Sequence, residues 1–125
     1  MEDTRMTVQQ CYQAMGSDYE DVMSRLRTDE RVKKFLLKVS SDSSYALLCS
    51  SLEQKDISEA FWVAHTIKGI TQNLSLTKLY ASSAQLCDVL RDRQEYGEDI
   101  QPAFEAVEKD YEFTIGCVQQ LAESV

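Results

Sequence analysis

Residues 57–74 have the sequence "ISEAFWVAHTIKGITQNL". At about 100° per residue, one side of a helix through this stretch collects small and apolar residues. This side is formed by Ala60, Ala64, Ile67, Ile70, Thr71 and Leu74. Asp56 stands directly before the stretch, where an aspartate side chain can cap the first turn. The stretch therefore predicts an amphipathic helix with one buried face.

Apolar residues spaced in steps of three and four recur on both sides of this helix. They predict helices at 29–40, 43–54, 76–94 and 100–122, and shorter ones at 7–15 and 18–27. We expect a break near Ser41–Ser44, because the side chains of "SSDSS" compete with the helix for backbone hydrogen bonds. No segment alternates strictly between apolar and polar residues. The predicted fold class is all-α, an up-down-up-down antiparallel four-helix bundle with short extra N-terminal helices.

A chain of 125 residues fits one domain. We expect residues 1–125 to form a single domain, with a bundle core at about 29–122 and covering helices at about 7–27. The initial Met1 favours a free-standing protein. Because all four bundle segments carry an apolar face, we expect the bundle to close on itself as a monomer.

Two local signals and three aromatic residues complete the predicted fold. Gly16 is expected to end the first helix, and Ser17 in "SDYE" is expected to cap the second. We expect Tyr12, Tyr19 and Trp62 to pack against other helices rather than to contact a ligand.

Charge and composition exclude several classes of partner. The formal net charge is -8, with 21 acidic against 13 basic residues, whereas nucleic-acid binders need a basic surface. The basic residues between Arg25 and Lys38 are interpreted as a solvated helix face. No signal peptide is visible, and every apolar run is too short to span a bilayer. We therefore expect no nucleic-acid partner and no membrane insertion.

The four cysteines, Cys11, Cys49, Cys87 and Cys117, form no C-x-x-C pair, and the chain has one histidine. We therefore predict no metal site and interpret each thiol as a small core residue. Free thiols favour a reducing compartment, so the predicted location is cytoplasmic. No glycine-rich phosphate loop or nucleotide motif is present, so we predict neither an enzyme nor a cofactor.

The polar side of the helix at 57–74 carries an unusual set of residues: Phe61, His65, Lys68, Gly69 and Gln72. An exposed neutral imidazole is a nitrogen nucleophile that can accept a phosphoryl group. Lys68, one turn away, can neutralise part of the added charge. Gly69 leaves bare backbone where a partner must approach, at a cost of about 1 kcal/mol of helix stability. Phe61 and Gln72 would contact that partner.

Each of these residues also has an ordinary interpretation. A solvent-facing histidine on a helix is most often a surface residue without a special role. Lysine is common on any exposed helix face, and a glycine inside a helix can simply admit a neighbouring helix.

"HTIKG", residues 65–69, resembles the H-x-x-K-G motif of the histidine-containing phosphotransfer (Hpt) domain family. "DISEAFWVAHTIKG", residues 56–69, is similar to the start of the family's histidine helix, and "NLSLTKLYASSAQLCDVL", residues 73–90, is similar to its second motif helix. The resemblance covers about 29–122. It implies a four-helix bundle whose exposed histidine carries a phosphoryl group between a histidine kinase or receiver aspartate and a response regulator.

By this resemblance, His65 is the phosphorylated residue, Lys68 its charge partner and Gly69 the clearance residue. Many members have a glycine where this chain has Ser75. Members also often hold the histidine ring with a polar residue at the place of Cys87. The resemblance therefore implies that Gln72 or Gln85 holds the ring here.

Two function classes follow. The first is a phosphoryl carrier that is not itself an enzyme, because the partner receiver or kinase supplies the catalytic machinery. The second is a helical adaptor, or a degenerate Hpt-like domain that only docks partners. An adaptor would keep its binding after His65→Gln, whereas a carrier would lose its chemistry.

Overall fold

The computed structural model describes residues 5–124, and this range contains seven α-helices and no strand. The helices are α1 (Val8–Met15), α2 (Tyr19–Leu26), α3 (Asp29–Ser41), α4 (Ser44–Glu53), α5 (Ile57–Asn73), α6 (Thr77–Leu90) and α7 (Ile100–Glu123). The antiparallel four-helix bundle consists of α5, α6, α7 and a first helix that is broken into α3 and α4. The predicted fold class is confirmed.

The break in the first bundle helix lies where the sequence predicts it, between Ser41 and Ser44. The hydroxyls of Ser40 and Ser41 each donate to the backbone carbonyl three residues earlier. The Asp42 carboxylate accepts a hydrogen bond from the backbone N–H of Ser44 at 2.8 Å. These side chains take up the backbone groups that a continuous helix would have paired.

The predicted end of α6 at residue 94 is wrong, because the helix ends at Leu90. Arg91 has extended backbone, and Asp92 has a φ of 57°. The Arg93 guanidinium donates to both carboxylate oxygens of Asp99, at 2.7 and 2.6 Å. Between Leu90 and α7 only Tyr96 packs against the interior, and the other residues are polar, so the segment has no continuous apolar face and closes into a loop before α7.

The helix ends confirm two predicted caps and correct a third. Gly16 ends α1 with a φ of 63°, and Asp56 caps α5. At the start of α2, the cap is Asp18 rather than Ser17, since the Asp18 carboxylate accepts from the Asp21 N–H at 3.0 Å. The aspartate also places negative charge at the positive end of the helix dipole.

The interior consists of two groups of packed residues. One joins α1, α2, α3 and the C-terminal half of α7, and the other joins α4, α5, α6 and the N-terminal half of α7. Tyr12 belongs to the first group and is fully buried. The N-terminal helices therefore share apolar packing with one end of the bundle.

Two sets of predicted packing residues are only partly confirmed. Tyr12 is buried and meets the half-buried Tyr19 edge to face, with ring centroids 6.0 Å apart. The prediction for Trp62 is wrong, because its side chain is 62% exposed. Trp62 precedes His65 by three residues and so shares its solvent face.

Of the four free thiols, only Cys49 is not fully buried.

No helix within residues 5–124 has both the length and the apolar character needed to cross a membrane.

Candidate functional site

Helix α5 buries the face that the sequence predicts and leaves His65 exposed. Ala60, Ala64 and Thr71 lie in the interior, and the Thr71 hydroxyl donates to the Ile67 carbonyl at 2.9 Å. The predicted exposure of the His65 side chain is thereby confirmed. Because both ends and one full face of α5 are fixed by packing, the imidazole is presented from a rigid element.

Two aromatic rings surround the imidazole on its N-terminal side. The Phe61 ring lies 6.3 Å from the His65 ring, centroid to centroid, at an interplanar angle of 25°. The indole of Trp62 lies 6.1 Å from the same ring at 87°. Phe61 and Trp62 also meet edge to face at 5.4 Å. Phe61, Trp62 and His65 therefore form one aromatic cluster on the surface of α5.

Two cations border this cluster. Lys68 is half-buried on α5, and the Arg91 guanidinium at the end of α6 lies 6.0 Å from the centre of the Phe61 ring. Arg91 also pairs with Asp88 at 2.7 Å on the surface. Burial raises the pKa of the Cys87 thiol, and the charges of Lys68 and Arg91 act in the opposite direction. The charges of both cations therefore act on Cys87, a buried residue of α6.

Gly69 is exposed, and a Cβ atom at this position would meet nothing within 4 Å. Packing inside the chain therefore does not require a glycine, which removes the explanation that a neighbouring helix needs the space. Gln72 shares the exposed face, but it follows His65 by seven residues and so lies about 10 Å from it along the helix axis, at 1.5 Å per residue. Gln72 is thus separated from the aromatic cluster, whereas Gly69 adjoins His65.

The imidazole makes no hydrogen bond with any residue in the range 5–124 that the structure describes. Gln72 and Gln85, the two residues expected to hold the ring, are both exposed and make no side-chain bond to it. Cys87 is buried. The rings that lie next to the imidazole are those of Phe61 and Trp62.

The C-terminal end of α5 is held by the N-terminal helices. The Arg25 guanidinium donates to the Asn73 carbonyl at 2.9 Å and to the Ser75 hydroxyl at 2.5 Å. The Tyr12 hydroxyl donates to the Leu74 carbonyl at 2.7 Å. These bonds satisfy carbonyls that the helix leaves unpaired at its end. Helices α1 and α2 therefore fix the end of the histidine helix.

The surroundings of His65 are an open surface rather than an enclosed site. An apolar cavity of about 240 Å³ lies elsewhere, between α5 and the broken helix, and is lined by residues such as Phe35, Tyr45 and Ile67. His65 does not line it. Within residues 5–124, no three or more His, Cys, Asp or Glu side chains are grouped to hold a metal ion. A surface of this kind suits contact with another protein.

Two residues of the site were not predicted. Trp62 could have been found, because a residue three positions before His65 lies on the same helix face. Arg91 could not, because it follows the end of α6 and reaches the cluster only through the packing of α6 against α5.

A family model described as the Hpt domain matches residues 36–123. Neither the curated proteins nor the solved structures compared with the chain include a significant match.

Proposed function

This chain belongs to the Hpt domain family, and on that premise we propose that it carries a phosphoryl group on His65 within a two-component phosphorelay. The donor is a histidine kinase or a receiver domain, and the acceptor is the aspartate of a response regulator. The observation that carries the proposal is the exposed imidazole on a rigid bundle helix, beside Lys68 and the bare backbone of Gly69.

The transfer step needs only a nucleophile from this chain. A nitrogen lone pair of neutral His65 attacks the phosphorus of an aspartyl phosphate on the receiver. The N–P bond forms as the bond between phosphorus and the aspartate oxygen breaks, and the aspartate leaves as a carboxylate with that electron pair. The phosphorylated ring then loses the proton on its other nitrogen to water. The reverse sequence delivers the group to the next aspartate.

The charge of the carried group explains the two nearby cations. A phosphoryl group adds between one and a half and two negative charges near neutral pH. Lys68 lies on α5, and Arg91 directly follows α6 and lies over the Phe61 ring. Their positive charges would favour the phosphorylated over the unphosphorylated state of His65.

Gly69 supports a protein rather than a small molecule as the phosphoryl donor. A side chain at this position would project into open space next to His65. It would stand in the way of a folded domain that must bring its aspartate to the imidazole, but it would hardly hinder a small donor. In this account the receiver or kinase supplies the catalytic machinery, and the chain acts as a cytoplasmic monomer.

One experiment separates the carrier from the adaptor. The chain and its His65→Gln variant are each incubated with a receiver domain phosphorylated by acetyl phosphate, and both binding and phosphate on the chain are measured. A carrier takes up acid-labile phosphate, and the variant takes up none while still binding. Equal binding by the two chains with no phosphate on either would favour the adaptor.

A further inference from the structure

The most exposed large apolar side chain within residues 5–124 stands next to the proposed phosphorylation site. Trp62 is 62% exposed, compared with 50% for Phe113 and 45% for Leu47. An indole held in water contributes little to the stability of its own fold. Tryptophan is also the residue type most enriched among those that dominate binding energy at protein interfaces.

A protein that reaches His65 with an interface of ordinary size also covers the indole of Trp62. The two ring centroids are 6.1 Å apart. A specific interface buries about 800 Å² on each partner, which corresponds to a disc with a radius of roughly 16 Å. If the disc is centred on the reacting nitrogen, Trp62 lies well inside it. Residues at the centre of an interface are those that contribute most to affinity.

The indole is also held in place before a partner arrives. The Phe61 ring contacts it edge to face at 5.4 Å, and Phe61 itself is half-buried and packs against the bundle interior. The Arg91 guanidinium lies over the same Phe61 ring. A supported aromatic side chain loses little conformational freedom on binding, so more of its contact energy appears as affinity.

From these observations we infer that Trp62 is the residue through which this chain selects its receiver domain. The inference rests on the proposed carrier function and names the partner surface that it requires. That surface is apolar where it meets the indole and acidic where it meets Lys68 and Arg91. If a receiver placed a carboxylate opposite Trp62, that carboxylate would lose its hydration without gaining a hydrogen bond or a cation. Such a receiver would bind weakly and be rejected.

The test compares Trp62→Ala with Phe113→Ala. Phe113 is the matched control, because it is an exposed aromatic residue on α7, with the Lys78 ammonium 5.6 Å from its ring centroid. A panel of purified receiver domains is phosphorylated with acetyl phosphate, and the KM and kcat for transfer are measured for each. Phosphoramidate serves as a second donor, since a small molecule needs no docking surface.

We expect Trp62→Ala to raise the KM for the preferred receiver by about tenfold or more. The KM values of the different receivers should then lie closer together than they do for the wild type. Its kcat, its rate with phosphoramidate and all rates of Phe113→Ala should stay within about twofold of the wild type. Trp62→Phe should recover part of the lost affinity.

An unchanged KM in Trp62→Ala would overturn the inference. An equal loss of rate with phosphoramidate would also overturn it, because the indole would then act on the reactivity of His65 rather than on docking. If the wild type accepted phosphate from neither donor, the carrier function itself would be wrong. This result is distinct from failure of the Trp62 inference, which requires a wild type that accepts phosphate.

Discussion

The Ser75 hydroxyl donates a hydrogen bond to the Asp21 carboxylate, with the two oxygens 2.6 Å apart. This bond joins α2 to the turn that follows the histidine helix. Ser75 has a φ of 56°, a left-handed conformation that glycine adopts without strain. The serine therefore bears a conformational cost but gains hydrogen bonds to Asp21 and Arg25 that a glycine could not make.

We predict that the hydrogen bonds and the backbone strain at Ser75 can be separated by two substitutions. Ser75→Ala removes the bonds but keeps the strain and should lower the free energy of unfolding by about 1–2 kcal/mol. Ser75→Gly also removes the bonds but relieves the strain, so it should be about 1 kcal/mol more stable than Ser75→Ala. Urea denaturation measures both. A Ser75→Ala variant as stable as the wild type would show that these bonds contribute nothing.

The Asp21 carboxylate predicts a pH dependence of stability. Its pKa is lowered by the hydrogen bond from Ser75 and then by that from Arg25. A carboxyl group with a lowered pKa in the folded state stabilises the fold above its ordinary pKa of about 3.9, and this contribution is lost as the pH falls through the lowered value. Asp21→Asn should therefore be less stable than the wild type near neutral pH, and the gap should close below about pH 4. A gap that is constant down to pH 2 would contradict this assignment.

Gly69→Gln should raise stability and block transfer from a receiver. Glutamine is the better helix former by about 0.5–1 kcal/mol, and the space around the position is open. The matched control is Gly116→Gln on α7, where an added Cβ also meets nothing within 4 Å. Both variants should melt at higher temperature, but only Gly69→Gln should transfer from a receiver about tenfold or more slowly. Normal transfer in Gly69→Gln would place the docking surface elsewhere.

Lys68→Ala should slow transfer to His65 by about two- to fivefold and shorten the lifetime of the phosphorylated chain, in line with the modest strength of charge pairs at a surface. Lys78→Ala is the control, because that ammonium lies over Phe113 on another part of the surface. The measurements are the transfer rate and the decay of phosphohistidine at neutral pH. Identical decay in the two variants would remove the role proposed for Lys68.

The sequence was sufficient where a feature depended on one helix alone. The buried face of α5, the exposure of His65 and the break between Ser41 and Ser44 all follow from helical periodicity and local side-chain hydrogen bonds. The apolar spacing stops at Leu90, but the end of α6 was placed later because spacing does not reveal the left-handed turn at Asp92 or the ion pair between Arg93 and Asp99.

Features that join two helices were not predictable in the same way. Arg91 reaches Phe61 from the residue after α6, and Arg25 reaches the end of α5 from a helix almost fifty residues earlier. The mistaken expectation for Trp62 has a different origin, because a large aromatic residue was assumed to be buried although the helix geometry placed it beside His65.

The most direct test of the carrier role is to locate the phosphoryl group after transfer. The chain has one histidine, so a phosphate that is lost in acid, retained in base and missing from His65→Gln is assigned to His65, whereas an acid-labile phosphate on a lysine would persist in that variant. The wild type and His65→Gln are incubated with receiver domains that carry radiolabelled phosphate and are then separated at neutral pH. If His65 carries the phosphoryl group, the wild type gains acid-labile label and His65→Gln gains none. Label that persists in His65→Gln, or no label on the wild type with any receiver, would contradict it.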